Sequence, residues 1–250
     1  MMRCLVGLII FAGTGIAGAA ELPEKFAEMR RAICDSTPTK DGCAKCPAYM
    51  GETVPGQALK FDGYVAGSFT ASGADEVLLR SPMCCYSHAA GFSSAVLLRK
   101  ISGKWARIAF YHNEMVTGDC RKIPDRAHQS DLLLCQFFDW GAGSIEVISL
   151  DAKGAIALTE KLVAEWEIPF RELNPKICST QVAKIDTIGS DAIDILIQTQ
   201  TYVPSPDCNA DEENHKFEKF IAQFTRSGGL FLPTAATQDF LREHSKRPIK

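Results

Sequence analysis

Cys43-Ala-Lys-Cys46 places two sulfurs at the spacing that lets thiolates chelate zinc or exchange a disulfide. Cys84-Cys85, followed by His88 in the same segment, nominally completes a thiolate and imidazole set. The context turns this chemistry toward structure. A redox CxxC expects a strand before it and a helix after it. Here the pair lies in a stretch rich in Pro, Gly and Cys, running from Asp35 to Gly56. Other groups capable of chemistry are scattered. His112-Asn113-Glu114 follows a strand-like run, and Ser93-Ser94 lies near His88 without an acid placed to complete a triad. No GxSxG elbow, HExxH helix or GxxxxGK[ST] loop occurs, which weighs against a common hydrolase or nucleotide-binding enzyme.

The amino terminus sets the redox context. Arg3 precedes an apolar, glycine-rich run from Cys4 to Ile16, and Ala17-Gly18-Ala19-Ala20 supplies small residues for cleavage. Residues 1–20 read as a secretory signal peptide cut near Ala19 or Ala20. The run is too short for a membrane span, which takes about 20 apolar residues. The expected location is the periplasm or the extracellular medium. Of the 10 cysteines, Cys4 falls in this segment, so nine remain: Cys34, Cys43, Cys46, Cys84, Cys85, Cys120, Cys135, Cys178 and Cys208. In an exported chain they read as a disulfide framework with one left over. Cys120–Cys135 and Cys178–Cys208 are expected pairs, because each flanks a repeat's first strand or its loop. The trio Cys34, Cys43 and Cys46 is expected to bond within itself and to Cys84 or Cys85. Removing Arg3 moves the net charge from −3 to −4. No basic stripe marks a nucleic-acid surface, and no cofactor or metal is expected.

These residues need elements to hold them. Leu22, Phe26, Met29 and Ile33 repeat at helical spacing with charges between them, predicting a short N-terminal helix before the Cys-rich loop, together residues 21–58. From Leu59 the pattern becomes β. Glu76-Val-Leu-Leu79, Asp131-Leu-Leu-Leu134 and Asp194-Ile-Leu-Ile197 each set an acid before an apolar run, and glycine turns follow at Gly103, Gly154 and Gly229. The acids are 55 residues apart (76 to 131) and then 63 (131 to 194), the size of a four-stranded unit. One such unit cannot bury its apolar face alone, so repetition predicts stacked sheets. The expected fold is mainly β, with propeller-like repeated antiparallel meanders over residues 59–235. A β-sandwich is the alternative packing. Residues 236–250 form a closing helix and tail.

The stretches Val65-Ala-Gly-Ser-Phe-Thr-Ala-Ser-Gly-Ala-Asp-Glu-Val-Leu-Leu79 and Ala183-Lys-Ile-Asp-Thr-Ile-Gly-Ser-Asp-Ala-Ile-Asp-Ile-Leu-Ile197 resemble the FG-GAP or VCBS type of β-propeller repeat of exported bacterial proteins. The resemblance implies an incomplete ring of three blades, since a closed propeller has roughly four to eight. It also points to oxygen ligands for a hard cation at alternate loop positions. In the first unit these are Ser68, Thr70, Ser72 and Glu76 around Gly73. In the third, Ile188 stands where a ligand belongs, and in the second, Ala127 does. The loops therefore read as turns kept for geometry.

The expected function is that of an exported, disulfide-stabilised binding module for a protein or glycan, not an enzyme. Its binding surface would be loops at one end of the sheets, where Pro82 to Ser93 and Pro204 to Asn214 are longest. His88, His112 and Trp140 are the candidate ligand-binding residues; Trp105, Trp166, Phe137 and Phe138 read first as packing between sheets. Two alternatives stand beside this reading. One is a hydrolase using His88, His112 and nearby acids, and the other a metal or redox protein using Cys43, Cys46, Cys84, Cys85 and His88.

Overall fold

The computed structural model describes residues 26–50, 56–81, 94–112, 117–124, 130–139, 142–166, 177–202 and 215–244. The signal-peptide segment lies outside them. The expected N-terminal helix is α1, Phe26–Ile33, which buries Phe26, Met29 and Ile33 along one stripe. The Cys-rich segment after it contributes β1 (Gly42–Cys43), a single 3-10 turn (Ala48–Met50) and β2 (Leu59–Lys60), with β1 and β2 paired antiparallel.

The rest of the chain is an antiparallel meander in sequence order. β3 (Gly63–Gly67), β4 (Glu76–Ser81), β5 (Ser94–Ile101) and β6 (Lys104–His112) form a four-stranded sheet. β7 (Thr117–Ile123), β8 (Leu132–Asp139), β9 (Ala142–Leu150), β10 (Ile156–Trp166), β11 (Ile177–Ile188), β12 (Ala192–Tyr202), β13 (His215–Ser227) and β14 (Leu230–Pro233) form an eight-stranded one. Among the described residues β10 and β11 are registered through Trp166 opposite Thr180, whereas β11 and β12 pair from Ile177–Thr201 to Ile188–Ile193. The larger sheet comprises two successive four-stranded meanders, β7–β10 and β11–β14. Three such meanders follow one another along the chain, and the fold is mainly β as expected.

The apolar runs form strands without alternation because both their faces are covered. On the outer face of the first meander, Val77, Leu79, Val96 and Leu98 pack with Phe26, Met29 and Ile33 of α1 and with Cys43, Met50 and Leu59. Its inner face, with Leu78, Ala95 and Leu97, meets Leu133, Cys135, Ile148 and Leu150 of the second meander. The opposite face of the second, with Leu132, Leu134, Ile145 and Val147, meets Ile193, Ile195, Ile197, Ala222 and Phe224 of the third. The layers therefore stack in chain order. α2 (Ala235–His244) closes the chain: the Thr234 hydroxyl accepts from Thr237 N at 3.3 Å as an N-cap, and Phe240 stacks on Phe220 at 4.1 Å. The outer face of the third meander carries exposed Ile221, Leu230 and Leu232.

Gly154 needs to be glycine for two reasons. Its φ is +83°, and a Cβ there would lie 3.0 Å from Ala109 Cβ. The β9–β10 turn is thereby laid flat on the first meander, where Tyr111 donates its hydroxyl to the Gly154 carbonyl at 2.5 Å.

Two disulfides match the expected framework. Cys34 bonds Cys43, within the N-terminal trio, and Cys120 bonds Cys135 directly across β7 and β8. Cys46 is also disulfide-bonded. Because Cys34, Cys43, Cys120 and Cys135 are paired with one another, its partner is a further cysteine. The expected Cys178–Cys208 pair and the Cys84-Cys85 segment lie outside the described residues and side chains.

The seam between the second and third meanders contains a carboxylate. Both oxygens of Glu160 on β10 accept from the Phe231 N–H of β14, at 3.0 and 3.1 Å. Burial pushes the Glu160 carboxyl above its usual range, against the opposing pull of the Phe231 hydrogen bond and the Arg226 charge. A carboxyl raised on folding favours the native state below its unfolded pKa, and this contribution is lost as pH rises through the folded pKa. Glu160→Gln keeps an acceptor for Phe231 and removes the charge. It is expected to raise the melting temperature at neutral pH, with the gain shrinking to nothing as pH falls through the carboxylate range. Thermal melts across that range decide it; a gain that persists in acid would refute the electrostatic origin.

Candidate functional site

The helix that caps the first meander leaves a cleft beside it. With Phe26, Met29 and Ile33 turned to the core, Ala27, Glu28, Arg31 and Ala32 form the flank of α1 that faces the β5–β6 hairpin. Gly103, Lys104 and Trp105 form the opposite wall, and the two enclose an open cleft of about 570 Å³. This is within the size range of small-molecule sites. The hairpin tip is held by consecutive left-handed residues, Ser102 at φ 49° and Gly103 at φ 80°, the conformation of a tight two-residue turn. Ala27 and Ala32 are small enough to leave the space open.

Trp105 lies directly opposite Lys100 in the β5–β6 register, and the Lys100 ammonium sits 5.8 Å from its ring centroid. The Trp105 ring is packed on one side against the core under α1. Its ring N–H is buried with no acceptor. Two residues along β6, the Arg107 guanidinium stacks 3.3 Å from the Tyr49 ring, which also meets Phe110 edge-on at 5.6 Å. Burial raises the Tyr49 hydroxyl pKa above its ordinary value, with Arg107 acting the other way. This clamp fastens the Cys-rich segment to β6. The ionisable residues that line the cleft are Arg31, Lys104 and Glu28, with Lys100 beside them.

The loop suggested as a cation site is satisfied internally. The Glu76 side chain is fully buried. Its carboxylate accepts from Thr70 N at 2.9 Å and from the Thr70 hydroxyl, and Arg99 Nε donates to it at 2.7 Å. Arg99 also reaches Thr70 Oγ1 and, at 3.3 Å, the Ala152 carbonyl. Ser68 donates its hydroxyl to the Ala74 carbonyl and its N–H to Asp131, both at 2.8 Å. The acid before the first apolar run and the acid before the second thus tie turns together, and a guanidinium supplies the positive charge. Among the described residues no group of three or more His, Cys, Asp or Glu could hold a metal ion.

His88 and Trp140 lie outside the described residues. His112 ends β6 opposite Ser94, which in turn is opposite Ser81, so the backbone sets it beside the strand ends that flank segment 82–93; its side chain is not described. Asp139 and Ala142, the strand ends flanking Trp140, belong to the second meander. Cys43 is bonded to Cys34 and Cys46 is disulfide-bonded elsewhere, so the two are neither a thiolate pair for zinc nor bonded to each other as an oxidised redox CxxC would be. The cleft itself went unread in the sequence. The signals available were Trp105 opposite Lys100 around Gly103, and the two alanines on the flank of a charged helix. No family model, no curated protein and no solved structure matches this chain.

Proposed function

We propose that this chain is an exported, disulfide-stabilised β module that binds a ligand in the cleft between α1 and the β5–β6 hairpin. The observation that carries the reading is the cleft's composition. A tryptophan wall and two cations surround one carboxylate, with no imidazole, hydroxyl or thiol among the lining residues, a set suited to holding rather than transforming a ligand. The Cys34–Cys43 and Cys120–Cys135 bridges support an oxidising compartment, in keeping with the signal-peptide reading of residues 1–20. No helix among the described residues is long and apolar enough to cross a membrane. Three consecutive four-stranded meanders support the propeller-repeat resemblance, with α1 in the place of a further blade against the first.

The test is a ligand panel of glycans and peptides scored by thermal shift on the secreted protein and on Trp105→Ala. A ligand at 100 times its dissociation constant stabilises the native state by about 2.7 kcal/mol. The expected result is a shift in the parent that is lost in the variant, with the ligand recovered unchanged. Turnover of the ligand, or a shift that Trp105→Ala leaves intact, counts against the proposal.

A further inference from the structure

We infer that the α1–β6 cleft takes an acidic saccharide, an inference that rests on the binding-module reading above. Three kinds of group meet there, and each narrows the ligand. Arg31 and Lys104 line the cleft and Lys100 sits at the Trp105 ring, against the single acid Glu28. The chain as a whole carries a net charge of −3, so this local excess of cations runs against the overall sign and favours an anion. Trp105 offers an aromatic surface, which a small inorganic anion would not use and the C–H face of a sugar ring would. Glu28 is the discriminating residue. Toward a ligand bearing charges alone it is repulsive, whereas toward a sugar it accepts hydroxyl hydrogens while Arg31 and Lys104 hold the acidic group. An acidic peptide brings carboxylates and no hydroxyls for Glu28.

The anionic group could be a carboxylate or a sulfate, and the test separates the two. The full-length secreted protein is titrated calorimetrically with an oligogalacturonate, a sulfated oligosaccharide of equal length, a neutral glucose oligomer and an oligo-aspartate peptide. An acidic oligosaccharide is expected to bind at least tenfold more tightly than the neutral oligomer and the peptide, with affinity falling as salt is raised. Whichever of the uronate and the sulfate binds more tightly identifies the acidic group. Arg31→Gln with Lys104→Gln is expected to lower that affinity at least tenfold and leave the melting temperature unchanged, because both side chains belong to exposed residues. Trp105→Ala should abolish it. Neutral and acidic oligomers binding equally, or acidic binding that the double variant does not weaken, overturns the inference. So does oligo-aspartate binding as tightly as the saccharides. If the neutral oligomer or the peptide binds and Trp105→Ala removes it, the cleft stands as the binding site and only the ligand class falls. If none of the four binds, the acidic-saccharide inference falls, and the binding-module reading is left to its wider panel.

Discussion

Glu76→Ala is expected to destabilise the protein by about 3–5 kcal/mol, the scale for breaking one side of a buried ion pair. The Glu76 side chain has no exposure, and that of its partner Arg99 is 23% exposed. Truncation strips Thr70 N of its acceptor and leaves the Arg99 guanidinium against the Thr70 hydroxyl and the Ala152 carbonyl, neither of them charged. Most of the loss comes from that uncompensated cation, not from the missing attraction. Two controls separate the contributions. Glu76→Gln retains acceptor capacity for Thr70 and loses only the charge, so it should cost less than alanine. Adding Arg99→Met to Glu76→Ala should recover part of the loss, since the orphaned charge goes with the arginine. Urea denaturation of the four proteins reads all of this. A Glu76→Ala loss below about 1 kcal/mol would mean that the turn is held by its backbone alone.

The second large effect is expected at Phe224, which is 1% exposed and packs in the cluster shared by the second and third meanders. On β13 it lies opposite Ile193 on one side and Pro233 on the other. Phe224→Ala should cost about 3–5 kcal/mol, the usual range for emptying an aromatic core position. Its signature should also be local. The third meander meets the second through this cluster, the Glu160–Phe231 contact, the Arg121 bond to the Ile185 carbonyl and the β10–β11 pairing; none of these contacts involves β3–β6, so loosening the seam frees β11–β14 first. Amide hydrogen exchange should accelerate there while β3–β6 stay protected. Equal acceleration in the first and third meanders would show that the stack unfolds as one unit.

How much of this was legible in the sequence depends on how far apart the causes lie. The runs at 76–79, 131–134 and 194–197 become strands because their residues are apolar at successive positions, which suits a sheet covered on both faces, and no distant residue is needed to see it. The turns at Gly103 and Gly154 are equally local, each requiring positive φ. Cys120–Cys135 could be guessed because one hairpin brings both together. β7 was not read, since Thr117-Gly-Asp-Cys-Arg-Lys-Ile123 has a polar composition and is a strand by virtue of its pairing with β8. β10 runs on to Trp166 and β11 begins at Ile177 for the same reason, through their pairing with β9 and β12. The Glu76 loop was read as a turn kept for geometry; that Arg99 completes it could not be read, because only the β4–β5 register places Arg99 opposite Glu76. The cleft is the least local feature of all: Arg31 and Lys104 are 73 positions apart, and only the docking of α1 on the first sheet makes them neighbours.

The coincidence of chain order with stacking order has a consequence for how the molecule is made. Every sheet neighbour of a strand from β3 to β14 is the strand just before or just after it, and each layer rests on the one preceding it. Within the sheets, no strand has to wait for a distant one to arrive before it finds its hydrogen-bonding neighbour. A polypeptide threaded N-terminus first through a pore can therefore pair each strand as it emerges, with α1 already present to cover the outer face of the first meander. Loop-closure entropy, which slows most β proteins, is met here in small instalments along the direction of travel.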